Sequence, residues 1–161
     1  MKLGKILLLL VGLCALALPA AAQTLDISQT DQLSFGALEQ PSGGAQTFTI
    51  SPMGGTSGSG SQLYGSTSRG AYLIRNTGPL PPTSTITIEV VNVNPNASGL
   101  TLSDFTGRYN GVDISSFPAV GMTAPAAGAS IPLYIGATAT YTSAVATGSS
   151  TPSFDIVVTY E

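Results

Sequence analysis

Glu89, Asp104 and Asp113 are the residues whose type and placement could support chemistry, as an acid–base pair or as oxygen ligands for Ca²⁺. Their spacings are wide and no D-x-[DN]-x-[DN]-G loop surrounds them, so solvated carboxylates on strands or loops are the simpler reading. Other catalytic types are scarce. The sequence has no His, which removes a Ser-His-Asp triad, a histidine acid and an imidazole metal site. Its one Cys, Cys14, excludes an intrachain disulfide, a Cys-rich zinc site and a Cys–His pair. The glycines between 54 and 70 lack both a G-x-x-x-x-G-K-[ST] pattern and a following helix, so they read as a mobile loop rather than a phosphate cradle. Asn96-Ala97-Ser98 fits a glycosylation sequon, a triplet frequent by chance. Tyr64, Tyr72, Tyr109 and Tyr141 could build a platform for a sugar ring, although strand tyrosines more often bury one edge. We assign no catalytic, cofactor-binding or metal-binding residue, and expect no cofactor and no enzymatic activity.

The first 22 residues have the layout of a secretory signal peptide. Lys2 and Lys5 make a basic start, Ile6 to Leu18 is almost wholly apolar, and Ala20 and Ala22 form an A-x-A site before Gln23. The apolar run is shorter than the ~20 residues a membrane helix needs. Cleavage there would leave 139 residues, 23–161, as one domain without Cys or Lys. Arg69, Arg75 and Arg108 would face eight acids, a formal net charge of −5. That balance argues against a nucleic-acid groove, which needs clustered Lys and Arg. No second apolar stretch follows, so no membrane span is expected after cleavage. The protein is expected in the periplasm or at the cell surface.

The remaining sequence reads as strands. Ser and Thr make up 38 of the 139 residues and neither favours helix interiors. No window shows helical apolar spacing, whereas period-two alternation recurs and puts successive side chains on opposite sheet faces. Phe154, Ile156, Val158 and Tyr160 give the clearest case. Ile86, Ile88 and Val90 form another face, as do Phe48 with Ile50, and Ile131, Leu133 and Ile135 running on to Ala137, Ala139 and Tyr141. Leu100 with Leu102 and Tyr72 with Ile74 are shorter examples. Turn residues lie between them: Pro41 to Gly44, the Gly/Ser loop from Gly54 to Ser61, Asn76 to Pro82, Asn94 to Asn96, the Pro/Ala/Gly-rich loop from Pro118 to Gly128, and Gly148 to Pro152. The pattern predicts an all-β, immunoglobulin-like antiparallel β-sandwich of about seven to nine strands, with a small β-barrel as the alternative.

Two segments point to assembly. Phe154, Ile156, Val158 and Tyr160 lie on a long terminal strand whose edge could pair with another chain. Leu25 and Ile27 share a face with Leu33 and Phe35 if the strand runs straight, but Gln29 and Asp31 predict a break between two short strands. An N-terminal strand donated to a neighbour would need such alternation.

The signal peptide, Leu33-Ser34-Phe35-Gly36, Thr47-Phe48-Thr49-Ile50-Ser51-Pro52 with its Gly-rich loop, and the ending Ser153 to Tyr160 resemble a group of small exported bacterial β-proteins catalogued as a domain of unknown function. That group is similar to pilins of the archaic chaperone–usher type, including spore-coat-U-like proteins. The resemblance implies an immunoglobulin-like sandwich, passage through the periplasm and assembly into surface fibres. Partners would be a second copy or a periplasmic chaperone, engaged by strand pairing. It carries over no catalytic residue, and the chain after residue 22 lacks the Cys pair that such pilins often bridge. The function expected is a non-enzymatic, pilus-like structural or adhesive subunit. The alternative is a secreted monomeric module that binds glycans or surface polymers.

Overall fold

The computed structural model describes residues 25–78, 84–142 and 149–161. The leader reading of residues 1–22, Gln23, and parts of the turns expected after Asn76 and near Gly148 lie outside them.

The described residues contain strands and no helix. In chain order these are β1 (Leu25–Asp31), β2 (Gly36–Leu38), β3 (Gln46–Ile50), β4 (Thr56–Gly58), β5 (Gln62–Tyr64), β6 (Gly70–Asn76) and β7 (Thr85–Asn94). Then follow β8 (Leu100–Tyr109), β9 (Val112–Ile114), β10 (Ala119–Thr123), β11 (Ser130–Tyr141), β12 (Ser149–Ser150) and β13 (Ser153–Tyr160). Eight of the described strands have five residues or more, and the other five are fragments of two or three. They form three open antiparallel sheets, ordered β1-β6-β11-β3-β4 with β8 and β9 attached, β10-β7-β13, and β12-β2-β5. None of the described sheets closes on itself, so the fold is an all-β sandwich rather than the barrel.

The twelve residues of β11 organise the large sheet. Residues Ser130 to Ile135 pair with β6, and Ala137 to Tyr141 pair with β3 along the same edge. The opposite edge pairs with β8. Gly136 stands at the changeover, where a Cβ would lie 2.2 Å from the Ile50 carbonyl oxygen. Only glycine lets β3 end so close to the β11 backbone.

Two apolar clusters fill the sandwich. The first joins Tyr72, Ile74, Tyr109, Leu133 and Ile135 of the large sheet to Ile86 and Ile88 of the facing β7. The second joins Phe48, Ile50, Leu100, Ala137, Ala139 and Tyr141 to Leu33, Phe35 and Leu38. The alternation along β11 therefore feeds both clusters with one strand face. Leu25 and Ile27 pack on the first cluster, whereas Leu33 and Phe35 belong to the second. The break read at Gln29 and Asp31 is a register shift in the pairing of β1 with β6, and it separates the two pairs of apolar residues.

Two loop expectations need correction. The Gly54–Ser61 stretch contains β4, paired with β3, because turn bonds close it: Ser51 Oγ accepts from the Gly55 amide at 3.0 Å, and the Gly60 amide donates to the Thr47 carbonyl at 2.8 Å. The Pro118–Gly128 stretch contains β10, paired with β7. Val120 and Gly121 are squeezed opposite a single β7 residue, so the apolar period is interrupted and the strand is hidden in the sequence.

Candidate functional site

The terminal strands are both edge strands. β1 lies along β6 and β13 along β7, and neither outer edge has a partner strand among the described residues. Phe154, Ile156, Val158 and Tyr160 all face inward on β13, as the alternation predicts, and all are half-buried. Leu25 and Ile27 on β1 are half-buried too, while the rest of that strand is exposed. Full burial stops at the strands next to them, where Ile74, Ile86 and Ile88 are wholly enclosed.

The two edges differ in their protection. β1 carries an extra residue, Thr30, at its register shift, and bulges of that kind discourage edge-to-edge pairing. In the pairing of β13 the extra residue lies on β7, where Asn92 has φ 52° and its amide donates to Asp155 Oδ2 at 2.7 Å. From Asp155 to Tyr160, β13 itself stays in regular register with Asp155 as its one charge. Glu161 then accepts hydrogen bonds from the Thr87 hydroxyl and the Gly121 amide, tying β13, β7 and β10 together. The Thr87 bond, first among the causes, holds the Glu161 carboxyl below its usual range.

The carboxylates considered for chemistry lie on three different strands. Glu89 is on β7, Asp104 on β8 and Asp113 on β9. Asp113 accepts from Arg108 at 2.6 Å in a surface ion pair, and Asp104 Oδ2 accepts from the Ser103 hydroxyl at 2.8 Å. No group of three acidic or cysteine side chains comes together around a metal-sized space among the described residues. The Asn96 amide of the sequon donates to the Thr151 carbonyl at 3.0 Å, bracing the β7–β8 turn against the start of β13.

The four tyrosines do not make a platform. Tyr72, Tyr109 and Tyr141 are buried, because each falls on the inward face of its strand, and Tyr64 alone is exposed, at 61%. Burial, followed by the Asp155 charge, pushes the Tyr72 phenol up to about 12. Burial also raises Tyr109, Tyr141 and Tyr160. Tyr109 donates to the Thr123 carbonyl at 3.0 Å, whereas the buried Tyr160 hydroxyl has no hydrogen-bond partner among the described residues.

A feature with no counterpart in the sequence reading lies where β8 passes β7. A cleft of about 300 Å³ is lined by Val90, Asp104, Phe105, Ser115, Ser116 and Phe117. Neighbours on a regular strand point to opposite faces. Asp104 and Phe105 both line the cleft because they sit together opposite Ala137, a bulge marked by the shift between Gly136 and Thr138 and by φ 48° at Asp104. The one local hint was an acid beside an aromatic residue within an alternating strand.

No curated protein and no solved structure matches the chain. Residues 25–160, from the first residue of β1 to the last of β13, match the family described as a domain of unknown function, DUF4402, and the chain belongs to that family.

Proposed function

We propose that the chain is an exported, non-enzymatic structural subunit of the cell surface, assembled by pairing of its terminal strand edges. The observation that carries this reading is the outer edge of β13. It is in regular register from Asp155 to Tyr160, has one charge, and leaves its inner face only half-covered. Long, unprotected edges of this sort are templates for another strand, since their backbone groups lack partners. β1 supplies the complementary element. Two half-buried apolar side chains and one ladder hold it on β6, so it is the described terminal strand most easily exchanged for a second copy's. Similarity to archaic chaperone–usher pilins would give the assembly its form, with a periplasmic chaperone on the edge first and a second copy afterwards. The leader-like residues 1–22 supply the export route.

The test is the size of protein recovered from the periplasm, measured by light scattering and electron microscopy, for the parent and for Val157→Lys. Val157 is 37% exposed on the outer face of β13, where a lysine discourages strand addition without touching the core. Oligomers or fibres from the parent and monomers from the variant are expected. A parent that stays monomeric on concentration and on mixing with a Leu25–Asp31 peptide would overturn the proposal. It would favour a self-contained module, which the pairing of both terminal strands within one chain also fits.

A further inference from the structure

The cleft between β7, β8 and the segment joining β9 to β10 has a two-sided lining. Val90, Phe105 and Phe117 supply apolar surface, and Asp104, Ser115 and Ser116 supply a carboxylate and two hydroxyls. Its volume, about 300 Å³, matches the lower end of small-ligand sites, roughly 300–1,000 Å³. Among the described residues, no cationic side chain lines it.

The lining is held in place from behind. The Phe105 ring packs edge-on against Phe154, with centroids 5.3 Å apart. The Phe117 ring rests on the bare backbone of Gly107, where a Cβ would come within 2.8 Å of its Cζ. Asp104 is turned by the bulge, and its Oδ2 is engaged by Ser103 at 2.8 Å. Bulges of this kind re-aim side chains beside functional sites. Left-handed backbone at a residue other than glycine needs surrounding structure to maintain it.

We propose that this cleft binds a single neutral sugar ring of a surface glycan. A pyranose has an apolar C–H face and a rim of hydroxyls, and the two halves of the lining answer those two surfaces. Phe105, Phe117 and Val90 cover the C–H face. Asp104 accepts from a ring hydroxyl, while Ser115 and Ser116 donate to or accept from others. A phosphate or uronate would meet Asp104 with no counter-charge in the lining. A simple ammonium ion would use the carboxylate and leave both serines idle. The site is separate from the strand edges and uses none of the four tyrosines first considered for sugar stacking.

The experiment uses the full chain, expressed with residues 1–22 in place and recovered from the periplasm. Saturation-transfer NMR is run against methyl glucoside, galactoside and mannoside, with choline and inorganic phosphate as comparison probes. At least one sugar is expected to bind, and its affinity should fall at least tenfold in Asp104→Ala. Ser116→Trp fills the cleft from an exposed position and should cause the same loss if Asp104→Ala proves poorly folded. Glu39→Gln, an exposed change outside the cleft, should leave affinity within twofold. Binding to none of the sugars, binding only of choline or phosphate, or sugar binding untouched by Ser116→Trp would overturn the proposal. Particle size plays no part in the readout, so failure here is distinct from failure of strand-edge assembly.

Discussion

Asn76 closes β6 and is fully buried, the one polar residue so placed in the described core. Its Nδ2 donates to the Pro125 carbonyl at 3.0 Å, and its Oδ1 accepts from the Gly78 amide at 2.9 Å. Its backbone also engages the same loop, accepting from Gly128 at 2.9 Å and donating to Ala129 at 3.1 Å. Asn76→Ala keeps the backbone bonds and removes both side-chain bonds, leaving the Pro125 carbonyl and the Gly78 amide buried without partners. Each such orphan costs about 1–3 kcal/mol, so the substitution should destabilise by about 2–6 kcal/mol. For a domain of this length that lowers Tm by about 7–21 °C. Urea unfolding followed by far-ultraviolet circular dichroism measures it directly. Asn76→Asp sharpens the test, because a carboxylate can still accept from Gly78 but offers nothing to Pro125. Burial against a carbonyl raises the folded-state pKa of that carboxyl above its ordinary value near ~4. The variant's stability is then fullest below that value and falls as pH rises through the raised one. Asn76→Asp should therefore approach the parent in acid and diverge from it at neutral pH. An Asn76→Ala variant within about 0.5 kcal/mol of the parent would refute the reasoning, since surface substitutions alone reach that size.

Gly136→Ala should destabilise by more than about 4 kcal/mol in urea unfolding, because its Cβ would meet the Ile50 carbonyl oxygen at 2.2 Å and the Ser51 carbonyl carbon at 2.7 Å. Tyr160→Phe removes a buried hydroxyl without a partner among the described residues and should leave stability unchanged or raise it by up to about 1 kcal/mol, whereas Tyr109→Phe loses the bond to Thr123 and should cost about 1 kcal/mol. The reverse order of the two midpoints would contradict the hydrogen-bond assignments. Raised phenol pKa values at Tyr72, Tyr109, Tyr141 and Tyr160 mean that tyrosine-linked stability is complete below the unfolded value of 10.0 and is lost as pH climbs through the folded values. The urea midpoint should drop between pH 10 and about 12, the Tyr72 value, with tyrosinate absorbance rising together with loss of β-sheet dichroism.

Period-two alternation made the long strands readable without coordinates. Phe154 to Tyr160 and Ile131 to Tyr141 each keep one apolar face along a whole strand, and that pattern survives in β13 and β11. The same signal failed where a strand was short or bulged. β4 is written in Gly, Ser and Thr, and β10 loses its period at Val120–Gly121. The tyrosines were only partly legible for a related reason. Their strand positions were legible, but which face would be covered depended on the opposing sheet, and Tyr72, Tyr109 and Tyr141 went inside.

Composition and local pattern thus determined the all-β class, the poverty of catalytic side chains, the inward faces of the long strands and the interruption at Gln29 and Asp31. These follow from properties that each residue carries with its immediate neighbours. The tertiary structure decided that β11 serves β6 with one half and β3 with the other, that β1 and β13 end as half-covered edges, and that Asp104 and Phe105 share a cleft. Each of those depends on the register between strands far apart in sequence. A single extra residue opposite Ala137 turns two side chains toward one space, and no local pattern encodes that pairing.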